Sequence, residues 1–75
     1  MSAARRARGH LTQVQEQRFR IATDDGPNLL LTLAHDAPQD HADLEQMLSD
    51  RAEIVVDFEG EPGLESGVAH GVRRL

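Results

Sequence analysis

The chain of 75 residues has no cysteine, lysine, tryptophan or tyrosine. Without cysteine it can form neither disulfides nor a zinc site with thiolate ligands. Phe19 and Phe58 are its only aromatic residues. No apolar run is long enough to span a bilayer, and the first arginines are not followed by the apolar stretch of about 7–15 residues that a secretion signal requires. We therefore expect a cytoplasmic protein that has no membrane partner.

The charge of the chain is unevenly distributed. The formal net charge is −5. Residues 1–35 hold five arginines against three acids, and residues 36–65 hold ten acids against one arginine. Such a split is compatible with a basic face on an acidic protein. The use of arginine without lysine, together with frequent alanine, is typical of a bacterial genome rich in G and C.

The length is enough for one domain with a small core. Residues 1–8 show no hydrophobic periodicity and predict a disordered N-terminal arm. Order is expected from Gly9 onward, so residues 9–75 form the single domain.

The first strand is predicted over residues 11–16. Its apolar residues Leu11 and Val14 are three apart, and a bulge would bring both to one face. Almost no linker separates this strand from the next, so the turn near Glu16 must be tight.

The second strand, RFRIAT, alternates cleanly. Phe19 and Ile21 face one way, and Arg18 and Arg20 face the other. The turn sequence DDGP follows, in which Gly26 can adopt the positive φ that closes a short hairpin.

The third strand is predicted over residues 28–35. A leucine-rich run could be helical on propensity alone, but its shortness, its alternation and the preceding turn favour a strand. One face then carries three leucines and the other is mixed: Leu29, Leu31 and Leu33 against Leu30, Thr32 and Ala34.

A helix is predicted over residues 41–49. Asp40 is a good N-cap, and Asp43 lies at the third helical position. An apolar stripe at helical spacing follows, formed by Leu44, Met47 and Leu48. A helix this short is not stable alone and must pack on the sheet.

Two more strands complete the chain. In residues 52–59 the inward set is Ile54, Val56 and Phe58, while Val55 faces outward with the acids. A glycine-rich loop follows. The last strand begins at residue 68 and is expected to place Val68, His70 and Val72 on one face.

Three strands, a helix and two strands is the element order of the OB-fold, a small five-stranded barrel. The layout resembles the bacterial translation initiation factor one family in Gly9, Phe19-Arg20, Asp25-Gly26 and Asp50. The resemblance implies a mainly β, five-stranded OB-like barrel whose helix, between strands 3 and 4, plugs one end. That family is basic and binds ribosomal RNA, whereas this chain is acidic. An SH3-like barrel is the competing fold, but it usually lacks such a helix.

The segment HDAPQDH contains the best candidate metal ligands: His35, Asp36, Asp40 and His41. Imidazole and carboxylate suit zinc or nickel. The spacing matches no known ligand motif, and capping already explains Asp40. We therefore predict no metal and no other cofactor.

Catalysis has little support in the sequence. The two serines beyond the arm, Ser49 and Ser66, lack a nucleophile motif, and the acids show no dyad. We expect a binding or adaptor module that is not an enzyme.

The predicted binding face comprises Arg18, Arg20, Leu30 and Thr32, because OB-fold ligands lie across strands 2 and 3. The leading hypothesis is protein binding or self-association through this face or a free strand edge, aided by a patch of Leu30, Ala34 and Val55. The alternative is weak binding of RNA or single-stranded DNA by these arginines and those of the arm. The net charge and the missing aromatic rings disfavour nucleic acid. A third interpretation pairs Arg18 and Arg20 with acids across the ladder.

Overall fold

The computed structural model describes residues 5–26, 28–60 and 67–75. The element order is β1 (Arg5–Gln15), β2 (Arg18–Thr23), β3 (Asn28–Leu33), α1 (His41–Ser49), β4 (Glu53–Glu59) and β5 (Val68–Arg74). The strands close into a barrel in the order β1-β2-β3-β5-β4. Strands β3 and β5 are parallel and the other neighbouring pairs are antiparallel. The predicted five-stranded OB-like barrel with one helix between β3 and β4 is confirmed.

Strand β1 is long because it serves two neighbours. Its first half pairs with β4, its second half pairs with β2, and Gly9 has a partner on both sides, Ile54 and Thr23. The disordered arm predicted over residues 1–8 is therefore wrong for residues 5–8, which are ordered by β4. The partner strand lies far away in sequence, so local periodicity could not reveal it. Residues 1–4 lie outside the described residues.

The predicted bulge in β1 is confirmed. Leu11 pairs with Ile21 and Gln13 with Arg20, which leaves Thr12 as the extra residue. The Thr12 hydroxyl donates to the carbonyl of Arg20 at 3.3 Å. After the bulge, Gln13 and Gln15 face outward while Val14 packs against the core.

Helix α1 begins and ends where the sequence predicts. The Asp40 carboxylate accepts from the Asp43 N–H, and the Asp43 carboxylate accepts from the Asp40 N–H, each at 3.0 Å. This capping box satisfies two amides of the first turn. Leu44 and Met47 are buried in the barrel core, with Leu48 packed against it, as the apolar stripe predicts.

The core lies inside the barrel and against α1. Its fully buried large side chains are Phe19, Ile21, Leu31, Leu44, Ile54, Val56 and Val72.

The face predicted for the last strand is wrong. Asp57 pairs with Gly71 and Phe58 with Ala69, so His70 is the extra residue of a bulge. Ala69 and Val72 are fully buried, whereas His70 is exposed. A bulge shifts the alternation of side chains, and it is set by pairing with β4 and not by the local sequence.

Candidate binding face

The strand register brings the four predicted face residues together. Arg18 lies opposite Thr32 and Arg20 lies opposite Leu30 on adjacent strands. Directly opposite residues of an antiparallel pair share a face, with Cβ atoms about 4.5–5.5 Å apart. The inward positions between them are occupied by Phe19 and Leu31, each 1% exposed, so the four face outward.

Strand β1 adds two residues to this surface. Gln13 lies opposite Arg20 and Gln15 lies opposite Arg18. We call the resulting surface the arginine face; it consists of Gln13, Gln15, Arg18, Arg20, Leu30 and Thr32. The glutamines were not identified as site residues from the sequence. The bulge at Thr12 was the signal that could have found them, because it turns both outward.

Each arginine of the arginine face lies opposite uncharged residues on both neighbouring strands, so the pairing with acids across the ladder, expected in the third interpretation, is wrong. Other arginines hold ion pairs: Arg6 with Asp57 at 2.8 Å, Arg8 with Glu53 at 3.1 Å and Asp24 at 3.6 Å, and Arg74 with Asp50 at 2.7 Å. Within the described part of the chain, the side chains of Arg18 and Arg20 make no hydrogen bond or ion pair. Their charge is therefore available to a ligand.

The arm arginines do not extend the arginine face. Arg6 and Arg8 lie on the half of β1 that pairs with β4, opposite Asp57 and Val55. Their ion pairs neutralise them there.

The predicted apolar patch does not form. Val55 lies on β4, which is not a neighbour of β3 in the barrel, and it is only 8% exposed. Arg8 and Arg73 flank it across the two neighbouring strands, where long aliphatic stems cover apolar groups. Leu30 is half-buried and lies among polar side chains.

The arginine face contains a shallow depression of about 100 Å³. Its lining is Gln13, Gln15, Arg18, Phe19, Arg20 and Leu30. The volume suits one small anionic group and not a large ligand. A carboxylate or phosphate here would meet two guanidinium groups, which favour such anions through charge-assisted hydrogen bonds.

A wider cleft of about 830 Å³ adjoins the Arg18 end of the arginine face, between the β1–β2 turn and the start of α1. Its charged residues are Glu16, Arg18, His41 and Glu45. Any ligand that extends past Arg18 therefore meets two carboxylates and the His41 ring.

His41 joins the two sides of this cleft. Its Nδ1 contacts the backbone carbonyl of Glu16, and its Nε2 lies 2.7 Å from the Glu45 carboxylate. Both partners are acceptors, so the doubly protonated ring suits them best. The Glu16 carbonyl raises the pKa of His41, and the Glu45 carboxylate adds to this against some desolvation.

The candidate metal ligands serve other roles. Asp40 caps α1 and His41 bonds to Glu16 and Glu45, while His35 and Asp36 are exposed. No group of three or more His, Asp or Glu side chains among the described residues is arranged to hold a metal ion.

Comparison of the sequence with protein-family models and with curated proteins, and of the fold with solved structures, finds no match. Within the described ranges, no helix is both long enough and apolar enough to cross a membrane.

Proposed function

We propose that this protein is a small, non-catalytic binding module that holds a short acidic segment of a protein partner on the arginine face. The observation that carries the proposal is that Arg18 and Arg20 lie side by side on one face with no ion pair within the described residues. Arg6, Arg8 and Arg74, in contrast, are paired with neighbouring acids. Gln13 and Gln15 on one side add amide groups that can both donate and accept hydrogen bonds.

The charges around the arginine face favour a short segment over a long polyanion. Glu16 precedes β2, and Asp24 and Asp25 follow it in the next turn. A chain of phosphates that continued past the arginines in either direction would meet these acids. A protein segment needs to present only two negative charges.

The positions of the aromatic residues also favour a protein partner over a nucleic acid. Phe19 and Phe58 are 1% and 4% exposed, so neither offers a surface for base stacking. Stacking contributes about 1–3 kcal/mol per base in single-strand binding. Without it, a nucleic acid would depend on two arginines.

The proposal of binding without catalysis is supported by the accessibility of the polar groups. None of the described polar or charged residues is buried. Catalytic acids and bases usually owe their shifted pKa values to burial beside a charged partner in a cleft. The depression on the arginine face is small and open by comparison.

The proposal is tested by titrating the ¹⁵N-labelled protein with a blocked peptide that carries several glutamates among serines. We expect saturable shifts of β2 and β3 amides. The double variant Arg18→Ala/Arg20→Ala should bind roughly 25-fold more weakly, because two exposed charge contacts of about fivefold each are lost.

The matched control is Arg6→Ala/Arg8→Ala, which removes the same charge from arginines that are already paired. It should bind like the wild type. Equal weakening by both double variants would mean unspecific charge attraction and would refute a site at the arginine face. Sedimentation of the protein alone over a range of concentrations separates a foreign partner from self-association.

Single-stranded nucleic acid is the alternative function. Arg, Gln and Thr side chains commonly contact phosphates, and the arginine face occupies the OB-fold surface that holds oligonucleotides. The element order that resembles the initiation factor one family supports the same alternative. A parallel titration with oligouridine tests it. Two phosphate contacts predict a slope of about −1.4 when the logarithm of the binding constant is plotted against the logarithm of the salt concentration.

A further inference from the structure

We infer that the partner segment is extended along β2 and carries two acidic side chains separated by one residue. This inference rests on the proposed function and specifies the chemistry of the segment. It follows from the spacing and surroundings of Arg18 and Arg20.

The spacing of the two arginines matches alternate residues of an extended chain. Arg18 and Arg20 are two apart in a strand, so they share a face and their Cα atoms are about 6.7 Å apart. Side chains at alternate positions of an extended peptide have the same separation and the same direction. Acids at adjacent positions point to opposite sides, and only one of them could face the barrel.

The direction of the segment follows from the residues beside each arginine. Across the sheet, Arg20 is flanked by Gln13 and Leu30, and Arg18 by Gln15 and Thr32. Positive charge therefore repeats along β2 and not across the strands. A segment with two acids can meet both guanidinium groups only when it runs along β2.

The flanking residues suit a peptide backbone in that position. Gln13 and Gln15 on one side, and the Thr32 hydroxyl on the other, can bond to the amides and carbonyls of the segment. Leu30 is half-buried beside Arg20 and can pack against the methylene groups of a glutamate. Main-chain polar groups and acids of an extended peptide thus both find partners.

The number of acids is limited to two by the ends of β2. A third acid at the same spacing beyond Arg18 would face the cleft that contains Glu16 and Glu45, where His41 is already paired with Glu45. Beyond Arg20 the next outward position is Ala22, followed by Asp24 in the turn. A third acid adds repulsion at one end and no contact at the other.

Blocked peptides of identical composition test the spacing. One carries Glu-Ser-Glu, one carries Glu-Glu-Ser, and one carries Glu-Ser-Ser-Ser-Glu, all flanked by serine and glycine to equal length. We expect the first to bind about fivefold more tightly than the others, the gain from one additional exposed charge contact. Dissociation constants come from amide shifts at low salt.

The variant Arg20→Gln provides the second measurement. With one arginine left, all three peptides should bind equally and weakly, because only one acid can be recognised. The amide spectrum of the variant shows whether it is folded, and Arg6→Gln, which removes an already paired arginine, should keep the fivefold preference.

The outcomes separate the inference from the proposed function. Equal binding of all three peptides to the wild type, weakened by Arg18→Ala/Arg20→Ala, refutes the spacing and leaves the acidic-segment proposal standing. Preference for the widest spacing would indicate a helical partner and would also refute it. Binding of none of the peptides overturns both.

Discussion

Gly9 lies at the point where β1 passes from one neighbouring strand to the other. A Cβ atom at this position would meet the backbone carbonyl oxygen and carbon of Ala22. Backbone atoms in a paired strand cannot move aside as a flexible side chain can. Glycine at this position lets β1 pair with β2 and β4 at the same time, and so allows the barrel to close.

The variant Gly9→Ala is therefore expected to lose about 3 kcal/mol of unfolding free energy, the upper part of the range for overpacking. Gly71→Ala is the matched control, because its nearest obstacle is Asp57 Oδ2 at 4.0 Å. Gly71→Ala should be neutral or more stable by up to about 1 kcal/mol, since alanine restricts the unfolded chain. Urea unfolding of both variants checks this; equal destabilisation would contradict it.

His41 should make stability depend on pH. The pKa of His41 in the folded protein is raised, first by the Glu16 carbonyl and then by Glu45. A raised folded pKa means that the folded protein holds the proton more tightly than the unfolded chain. The stabilisation is therefore fully present below the unfolded pKa of about 6.5 and is lost as pH rises through the folded pKa.

Urea unfolding at pH 5.5 and at pH 8.5 measures this effect. The difference in unfolding free energy between the wild type and His41→Ala should be larger at pH 5.5 than at pH 8.5. His35→Ala, at an exposed histidine outside the elements, serves as the control and should show a smaller pH dependence. A difference that is equal at both pH values would mean that the two contacts of His41 do not depend on its charge.

At the scale of the element, α1 ends in a conformation that its sequence does not favour. Arg51 has φ 52°, and the Arg51 and Ala52 amides donate to the carbonyls of Leu48 and Met47, each at 3.1 Å. This is the Schellman pattern, in which glycine usually occupies the left-handed position. For a residue other than glycine, the left-handed conformation costs about 1–2 kcal/mol.

We expect Arg51→Gly to stabilise the protein by about 0.5–1 kcal/mol, the relief of that conformation less the greater entropy of glycine in the unfolded chain. Arg51→Ala removes the same side-chain charge but keeps a Cβ atom, so it should not stabilise. Thermal and urea unfolding of the two variants measure the difference. Equal stability of both would show that charge, and not backbone conformation, decides the effect.

Elements whose bounds are set by residues close together in the sequence were predicted well. The bounds of α1 depend on Asp40, Asp43 and an apolar stripe, all within one segment. The face of β5 and the start of β1 depend on β4, and no local pattern reports which strand a residue will pair with. The bulge at His70 and the strand over residues 5–8 were missed for this reason.

The same distinction holds for the candidate site: features that depend on local alternation were predicted, and features that depend on strand pairing were not. Arg18 and Arg20 could be placed on one face from alternation alone, and the short hairpin loop then set Leu30 and Thr32 beside them. The patch with Val55 failed because the barrel order puts β5 between β3 and β4. The neutralisation of Arg6 and Arg8 was missed because it requires the register of β1 with β4.

At the scale of the whole molecule, the uneven charge of the sequence becomes a pattern on the barrel. Acids from residues 36–65 fold back onto arginines from both ends of the chain, as Asp57 does with Arg6 and Asp50 with Arg74. The Arg74 side chain, and after it Gln46, lowers the pKa of Asp50. The arginine face remains positive because both of its arginines lie on β2, which is not a neighbour of β4.

The neighbouring strands of the barrel are not all paired to the same extent. Among the described residues, strands β3 and β5 share two pairs, Thr32 with Val68 and Leu33 with Ala69. The Thr32 and Ala34 amides donate across this junction to Gly67 and Ala69 at 2.9 and 2.8 Å, whereas the Leu33 amide donates to Gln17 on the β2 side at 2.7 Å. Across the ranges that the structure describes, fewer residues pair at this junction than between any other two neighbouring strands, so local opening should begin there.

Amide hydrogen exchange should therefore be faster at Thr32 and Ala34 than at Leu33 between them, as measured by NMR in deuterated solvent. Equal rates at all three would mean that the barrel opens as one cooperative unit. When the junction separates, β1, β2 and β3 remain paired as a curved sheet. An opening at this junction would therefore leave the surface that carries Arg18 and Arg20 with its shape unchanged.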